Sequence, residues 1–498
     1  MTYKTPGVYV DEISTFPPSV TEVETAIPAF IGYTEKAKRE VDDDLHLVPY
    51  RIENMLEYQQ YFGGPDVEKG IKATYTETKD DKGVVIKTEA VATWDTTKKS
   101  KYILYYSMQL YFANGGGPCY IVSVGKYSDA QDIGDNTKGV LGGLAKLEKE
   151  DEPTLILCPE AVYLNDKIYD FQTAAMEQAG KLKDRFVICD VLEKKSDGTT
   201  KNLTEVQNDF RGGIGNNNLK YGAAYFPFLK TSLNIEYDPV NVLIEKVSVS
   251  AAPAVPAGGA AGGGAPGGGA AGGGAAGGGA ALTLKDFAAS NSPGGNLVIS
   301  AIKDLLMILP PSPAMAGVYA YVDSTRGVWK APANVSLNRV KDVTENLTSE
   351  EQQNFNVSDT GKSINAIRPF AGKGILVWGA RTLDGASNEW RYINVRRFFN
   401  MVEESVQKST IWAVFEPNTK NTWVKAKGMI ENYLITKWID GALAGAKPED
   451  AFYVRIGLGL TMSADDINNG IMNVEIGMAV SRPAEFIILK FSHKLQVS

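Results

Sequence analysis

The alternation of strand-like and helix-like segments between residues 101 and 230 is the feature that most constrains the fold. The apolar runs "PCYIVSVG", "TLILCP", "FVICDV" and "YGAAYFPFLK" are separated by helix-like stretches such as "DFQTAAMEQAGKLKDR". Strands that alternate with helices over short connections pair in parallel, and helices cover both faces of such a sheet. The sequence therefore predicts a mostly parallel, doubly covered α/β sheet.

Length, charge and hydropathy limit the classes of function. The chain has 498 residues, more than one hydrophobic core usually serves, so about two or three domains are expected. The net charge of −8 argues against broad binding to nucleic acid or to an anionic membrane. An uninterrupted apolar run of about 18 residues and a basic-then-apolar leader are both missing from the sequence. Synthesis and folding in the cytosol are expected, with any export by another route.

The three cysteines, Cys119, Cys158 and Cys189, each lie in an apolar run, and no pair of them has metal-ligand spacing. An odd number of such thiols is typical of small buried hydrophobes in a reducing compartment. We expect all three to be structural.

Two segments are predicted to be insertions. Residues 74–94, "TYTETKDDKGVVIKTEAVATW", contain two threonine- and valine-rich runs around a turn sequence, which is typical of a β-hairpin. The hairpin is polar on both faces, which favours an exposed position. Residues 251–281 consist mainly of Gly and Ala and have no side chains large enough to form a core, so a flexible surface loop is expected.

Fragments that resemble catalytic motifs do not meet the requirements of those motifs. "DTGKSI" (359–364) ends like a phosphate-binding loop, but Asn356 stands where the first glycine is needed. "RGGIGNNNLKYG" departs from the dinucleotide-binding fingerprint at Asn218. A Ser-His-Asp arrangement needs a positioned imidazole, and the two histidines are His46, in an acidic loop, and His493, near the C-terminus. No catalytic, cofactor or metal site is predicted.

Two further fragments carry carboxylates of the kind that an acid/base pair needs. These are "RTLDG" (381–385) and "MSADDINNG" (462–470). The first is read as a solvated turn, and the second is typical of a helix N-cap.

The C-terminal part of the chain is predicted to hold two amphipathic helices and two strands. Residues 394–409 and 423–446 have apolar residues at helical spacing, and the second segment carries lysines among its polar positions. "NVEIGMAV" (473–480) alternates like a strand with one buried face, and "AEFIILKF" (484–491) is apolar on both faces like a central strand. A central strand needs neighbours on both edges, and this unit supplies too few.

The segment "KTPGVYVDEIS" (4–14) alternates like a strand between Pro6-Gly7 and Pro17-Pro18. A lone strand leaves its backbone groups unpaired and promotes association. Residues 1–18 are therefore predicted to be an arm that pairs elsewhere.

Together these segments resemble contractile tail sheath proteins. The resemblance rests on "TPGVYVDEI", "TAIPAFIGYT", "YFANGGGPCYIVSV", "RPFAGKGILVWGARTL", "YINVRRFFNMVEESV", "WAVFEPN" and "NVEIGMAVSRPAEFI". The 74–94 hairpin and the Gly/Ala loop depart from the family at places where it tolerates insertions. "YQQYFGG" and "SHKLQVS" are more similar to phage-tail-like injection particles than to simple phage tails.

The resemblance implies a multidomain protein of α/β and α+β class. It implies a strand-exchange arm (1–18), an α/β sheath domain (19–363) with a subtilisin-like fold that lacks the catalytic triad, and a C-terminal α+β sheath domain (364–498). The last would face an inner tube and be completed by strands from neighbouring subunits. The residues expected to take part in strand exchange are Val8, Tyr9, Val10, Asp11, Ile13, Phe486, Ile488, Leu489 and Phe491. Those expected to face the tube are Lys425, Lys427 and Lys437.

The resemblance also implies a structural subunit rather than an enzyme. Six subunits per ring would stack helically around the inner tube, and the lattice would contract to drive the tube through a target envelope. The implied partners are other copies of the chain, the tube protein, baseplate and terminator or cap proteins, and sheath paralogues. No cofactor, nucleic acid or membrane insertion is implied. Assembly is expected in the cytoplasm, as part of a phage tail or of a particle released from the cell.

Two other interpretations remain open at this point. One is an α/β hydrolase-like enzyme with a flexible lid, which would need His46 or His493 beside a serine. The other is a monomeric binding module that uses the 101–230 sheet.

Overall fold

The computed structural model describes residues 19–250 and 282–488. The strands are β1 Pro28–Thr34, β2 Tyr50–Ile52, β3 Ile71–Lys79, β4 Val85–Trp94, β5 Cys119–Lys126, β6 Leu155–Leu157, β7 Phe186–Asp190, β8 Gly222–Phe226, β9 Leu229–Thr231, β10 Leu243–Ser250, β11 Leu282–Thr283, β12 Met307–Leu309, β13 Val340–Val343, β14 Ile364–Phe370, β15 Gly374–Val377, β16 Phe452–Arg455 and β17 Glu475–Met478.

The helices are α1 Met55–Phe62, α2 Leu104–Ala113, α3 Gly139–Leu147, α4 Lys167–Leu182, α5 Leu203–Gly213, α6 Leu284–Ser290, α7 Ser292–Lys303, α8 Ser312–Arg326, α9 Ser349–Asn356, α10 Ile393–Ser409, α11 Lys420–Ile439, α12 Pro448–Ala451 and α13 Ala464–Asn468. The predicted arm with Val8, Tyr9, Val10, Asp11 and Ile13, the Gly/Ala segment, and Leu489, Phe491 and His493 lie outside the described residues.

An eight-stranded sheet in the order β15-β14-β8-β7-β6-β1-β5-β2 forms the centre of the molecule. Its six inner strands run parallel, and β2 and β15 pair antiparallel at the two edges. The mostly parallel sheet predicted from the alternation of strands and helices is thus confirmed.

Helices cover both faces of this sheet. Successive side chains of a strand point to opposite faces, so in β1 Phe30 belongs to one apolar core and Ile31 to the other. The first core includes residues of α2 and α8, and the second includes residues of α3, α4 and α5. Cys119, Cys158 and Cys189 are all buried, as predicted.

The 74–94 segment forms the predicted hairpin, with β3 and β4 paired antiparallel between Ile71 and Trp94. The expectation that both of its faces are polar is wrong. The hairpin belongs to a four-stranded sheet in the order β11-β10-β3-β4. One face of that sheet buries Ile71, Ala73 and Tyr75 against Phe287 and other residues of α6 and α7. The Gly/Ala segment joins β10 to β11 within this accessory sheet.

The C-terminal domain (residues 392–488) has its own apolar core, built from α10, α11 and β16. The domain boundary was predicted at residue 364, whereas β14 pairs in parallel with β8 and extends the central sheet.

The last predicted strand is also absent from the part of 484–491 that the structure describes. Residues 484–488 have no regular secondary structure there. Phe486, Ile487 and Ile488 are 71%, 78% and 80% exposed, so this apolar segment is not buried in its own subunit. The partner of β17 is β16, which the sequence did not indicate.

Candidate functional site: an apolar groove on the C-terminal domain

An open groove with a volume of about 920 Å³ runs between α10, α11 and β17. Its walls are mainly apolar, and they include Val402, Val406, Ala426, Ile430, Ile476 and Met478. Monomeric soluble proteins rarely expose contiguous apolar surfaces of this kind unless another molecule covers them. The groove is therefore the surface to be explained.

The strand that lines the groove also has an unpaired edge. β17 pairs antiparallel with β16, with Val454 opposite Ile476. Among the described residues, no strand pairs with its other edge. A two-stranded sheet is marginally stable by itself, and an exposed edge accepts a further strand through its free backbone groups. The same strand thus offers both apolar side chains and unpaired main-chain groups.

The loop between α10 and α11 forms the rim of the groove and is unusually apolar for an exposed loop. Ile411, Val414 and Phe415 are all exposed, and Val414 and Phe415 line the groove. Phe415 has a φ of 67°, in the left-handed region that favours glycine. Bulky residues in that region are uncommon and occur most often at functional positions.

Helix α10 is buried on more sides than its sequence indicates. Val395, Phe398 and Val402 form the predicted apolar stripe and are buried. The predicted polar face is also largely buried, because it packs against the α/β domain. Arg397 pairs with Asp323 of α8 at 2.5 Å, and both side chains are almost inaccessible to solvent.

A second arginine extends this interface. Arg396 lies over the ring of Trp390, with its guanidinium carbon 4.3 Å from the ring centroid. Its Nε donates to Asn400 at 2.7 Å, and Asn400 Nδ2 donates to the carbonyl oxygen of Arg185 at 3.0 Å. α10 therefore connects the groove to the central sheet.

The segment that directly follows the predicted arm runs along α10. The amide of Thr21 donates to Ser409 Oγ at 3.0 Å, and the amide of Val23 donates to Ser405 Oγ at 3.1 Å. Glu22 pairs with Lys437 of α11 at 2.5 Å. Residues 21–23 therefore lie against the C-terminal domain.

The three lysines expected to face a tube occupy different surroundings. The side chain of Lys437 is buried and contacts Glu22. Lys425 is exposed, with its ammonium 5.2 Å from the centroid of the Trp412 ring. Lys427 is half-exposed and lies 3.5 Å from Glu431. The spacing of lysines along the helix did not distinguish these cases.

The fragments that resemble catalytic motifs serve local structure. Lys362 Nζ donates to the carbonyl oxygen of Arg211 at 2.6 Å, and Ser363 Oγ donates to that of Asn356 at 2.6 Å. Ser463 and Asp466 form a capping box at the start of α13, as predicted for this fragment. In 19–250 and 282–488 there is no group of three or more His, Cys, Asp or Glu residues able to hold a metal ion.

Two buried carboxyl groups at ends of the central strands hold the starts of helices. Glu160 accepts hydrogen bonds from the amides of Tyr33, Ile103 and Leu104, and Asp190 accepts from the amide and hydroxyl of Ser312. Burial raises the pKa of Glu160 to about 8 and that of Asp190 to about 7. Their hydrogen bonds are made to α2 and α8, so both groups have a structural role.

No helix in the described part of the chain is both long and apolar enough to cross a membrane.

The groove lies in a part of the chain that matches a family model. The family model described as the phage tail sheath C-terminal domain matches residues 386–494. The chain is 28% identical over 126 residues to the tail sheath protein of Vibrio phage KVP40. It is 27% identical over 114 residues to the tail sheath protein of Enterobacteria phage T4. These alignments cover 25% and 23% of this chain. They span only 19% and 17% of those relatives.

Solved structures match over almost the whole chain. The anti-feeding prophage baseplate, 6-fold symmetrised, contains a chain 29% identical to this one, with a TM-score of 0.60 and coverage of 99% of this chain and 100% of that chain. The PVC sheath complex of an extracellular contractile injection system, in the contracted state, contains a chain 27% identical, with a TM-score of 0.60 and coverage of 99% of both. The anti-feeding prophage helical sheath in the contracted state is also 29% identical, with a TM-score of 0.60 and coverage of 99% and 100%.

Proposed function

The chain belongs to the contractile tail sheath family, and we propose that it polymerises around an inner tube and contracts to drive that tube through a target envelope. In this proposal six subunits form each ring, and the rings stack helically. The role is structural and not catalytic. The observation that carries the proposal is the incomplete C-terminal domain, with its open groove and the unpaired edge of β17.

We propose that strands from neighbouring subunits complete this domain. The donors are the arm around Val8–Ile13 and the segment from Phe486 to Phe491. Strand addition gains affinity from main-chain hydrogen bonds and specificity from pockets for alternate side chains. Two features support this assignment: the exposure of Phe486–Ile488 and the course of residues 19–25 along α10.

A contractile lattice needs links between subunits that persist through contraction, and rigid domains that can pack against one another in two arrangements. Exchanged strands would provide the links, since their backbone hydrogen bonds need not change when domains rotate. The α/β domain, for which we propose a subtilisin-like fold without the triad, would provide the rigid body. No nucleotide would be consumed during contraction.

The remaining partners follow from the same proposal. The tube protein would contact the C-terminal domain through Lys425 and Lys427, while a baseplate and a terminator would hold the two ends of the sheath. Sheath paralogues would share the lattice. The particle would assemble in the cytoplasm and act as an extracellular injection device, because chains similar over 99% of this chain occur in the anti-feeding prophage and in the PVC extracellular contractile injection system.

Deletion of residues 1–13 tests the proposal. We expect a folded monomer that does not polymerise when co-expressed with its tube protein, whereas the full chain forms striated tubes or cogwheel rings in electron micrographs. A matched control shortens the Gly/Ala segment 251–281 by 13 residues (the same length as the deletion) and should leave assembly unchanged. Normal sheaths from the truncated arm would show that this arm is not the donated strand.

A further inference from the structure

Residues 481–488 leave the C-terminal domain without regular secondary structure, yet one side chain in this segment is tightly held. Glu485 accepts hydrogen bonds from Arg381 Nε at 3.0 Å and from Arg381 Nη2 at 2.7 Å, one to each carboxylate oxygen. Asn356 Nδ2 donates to the same carboxylate at 2.7 Å, and the Tyr392 hydroxyl lies 3.2 Å from it. Both carboxylate oxygens are therefore engaged.

The residues that hold Glu485 come mainly from the other domain. Arg381 follows β15, the edge strand of the central sheet, and Asn356 is the last residue of α9. Arg381 also donates through Nη1 to the carbonyl oxygen of Asn356 at 3.3 Å. The anchor point of the exiting segment thus lies on the α/β domain.

A second contact holds the start of the segment on the C-terminal domain. The amide of Ser481 donates to the carbonyl oxygen of Ala442 at 2.9 Å, and its hydroxyl donates to that of Gly441 at 3.0 Å. The chain between Ser481 and Glu485 is consequently fixed at both ends. Phe486 is the first residue beyond the second fixed point, and it is exposed.

The chemistry of the Arg381–Glu485 contact suits a permanent attachment. A guanidinium and a carboxylate paired through two parallel hydrogen bonds form a strong and directional contact. Arg381 is buried, which limits screening by water and salt. Burial by itself would raise the pKa of Glu485, but the hydrogen bonds from Arg381 and Asn356 outweigh it and the pKa is lowered.

We propose that the pairing of Arg381 with Glu485 fixes the exit point and direction of the apolar segment beginning at Phe486, so that this segment reaches a neighbouring subunit. The inference rests on the proposed strand exchange. A pull on the exchanged strand is transmitted through Arg381 to the eight-stranded sheet. The two-stranded sheet of the C-terminal domain therefore does not carry this force.

The direct test measures the mobility of the exiting segment in the full-length monomer. A spin label is attached to an Ile488→Cys variant, in which the three native cysteines are buried and so protected from labelling. In a second step Glu485→Gln removes the charge with little change of shape. We expect at least a fivefold shortening of the label's rotational correlation time and at least a tenfold rise in the critical concentration for sheath assembly.

Matched variants separate positioning from general destabilisation. Glu89→Gln removes the same charge from an exposed pair with Lys87 on β4 and should change neither quantity. Arg381→Lys keeps the positive charge but loses the two-point contact, so both quantities should change there as well. If Glu485→Gln proves unstable in thermal unfolding, the Arg381→Lys result decides whether the pair positions the exiting segment.

Deletion of residues 486–498 separates this inference from the proposed function. If the deletion abolishes assembly but neither Glu485→Gln nor Arg381→Lys changes label mobility, the anchor is overturned and strand exchange stands. If the deletion leaves assembly normal, the exchange of this segment is itself wrong. Increased mobility together with weakened assembly in both variants would support the anchor.

Discussion

The α/β domain and the C-terminal domain are built from the same kinds of element but differ in how completely each is closed. The central sheet has eight strands with helices on both faces. The C-terminal sheet has two described strands, and its helices leave an open apolar groove beside β17. A domain that buries its own apolar surfaces can act as a rigid body, whereas a domain with an open apolar groove offers a surface on which another chain can bind.

The two domains also use buried charge differently. In the α/β domain, Glu160 and Asp190 are satisfied by groups at helix starts within the same domain. In the C-terminal domain, Arg397 is satisfied across the domain boundary by Asp323. Because Asp323 belongs to α8 of the α/β domain, this ion pair fixes the two domains to each other within the monomer.

The largest effect is expected from a charge placed in the groove. Ile476→Lys should abolish sheath assembly, because an inserted strand would bury an unpaired ammonium. The side chain is only partly buried in the monomer, so the midpoint of thermal unfolding should change little. Assembly is measured by electron microscopy and sedimentation.

Val84→Lys provides the control for the groove variant. Val84 is an exposed apolar residue at the hairpin turn between β3 and β4, far in sequence from the groove. The Val84→Lys variant should assemble like the unmodified chain. Normal tubes from Ile476→Lys would mean that the groove remains empty in the lattice.

The next effect concerns the contact between the two domains. Arg397→Met leaves the carboxylate of Asp323 buried without its cation, which typically lowers the free energy of unfolding by about 3–5 kcal/mol. The change is measured by denaturant unfolding of the monomer. In the double variant with Asp323→Leu no unpaired charge remains, so a substantial part of the loss should be recovered. A double variant as unstable as the single one would show that the arginine acts by packing alone.

The sequence predicted the closed domain better than the unfinished one. The parallel sheet could be predicted from apolar runs such as "FVICDV", because a strand with apolar residues on both faces is typical of a sheet covered on both sides. The boundary near residue 364 could not be placed, because pairing of β14 with β8 is a long-range contact between distant segments. The hairpin looked polar on both faces because the residues that cover Tyr75 come from α6, more than 200 residues later in the chain.

The sequence predicted a shortage of strands in the C-terminal domain, but it did not predict the groove. Its walls combine residues of α10, α11 and β17. A sequence pattern within one element does not predict a space between three elements. The burial of Lys437 could not be predicted for a related reason, since its partner Glu22 lies near the other end of the chain. The burial of the α10 arginines could not be predicted either, because helical periodicity does not show whether a polar face contacts water or a second domain.

A smaller effect concerns the pH dependence of the closed domain. In the unfolded chain Asp190 ionises near its usual pKa of about 4, whereas in the folded protein burial raises the pKa to about 7. The contribution of the Asp190 carboxyl to the free energy of unfolding is complete below the usual pKa and is lost as pH rises through the folded-state pKa of about 7. The full shift corresponds to at most about 4 kcal/mol.

Asp190→Asn tests this dependence, because an amide keeps an acceptor for the Ser312 amide and cannot ionise. Relative to the unmodified chain, the variant should gain stability between pH 4 and pH 8, by roughly 2–4 kcal/mol. Glu160 titrates in the same direction and is unchanged, so it cancels in the difference. A difference between the two chains that does not vary with pH would mean that the carboxyl is not buried as described.

The smallest effect compares one helix cap in each domain. Asn202 caps α5 and Ser463 caps α13, and both form capping boxes. Replacement by Ala removes about 1 kcal/mol from a helix in either case.

α5 buries Val206 and Phe210 in the core of the α/β domain, so Asn202→Ala should lower the global free energy of unfolding by that amount. α13 has no buried residue, so Ser463→Ala should raise only the hydrogen-exchange rates of amides in α13, about fivefold, while global unfolding stays unchanged. Equal losses of global stability from both variants would instead mean that the unfinished domain unfolds together with the finished one, and that the difference in closure does not separate them in the monomer.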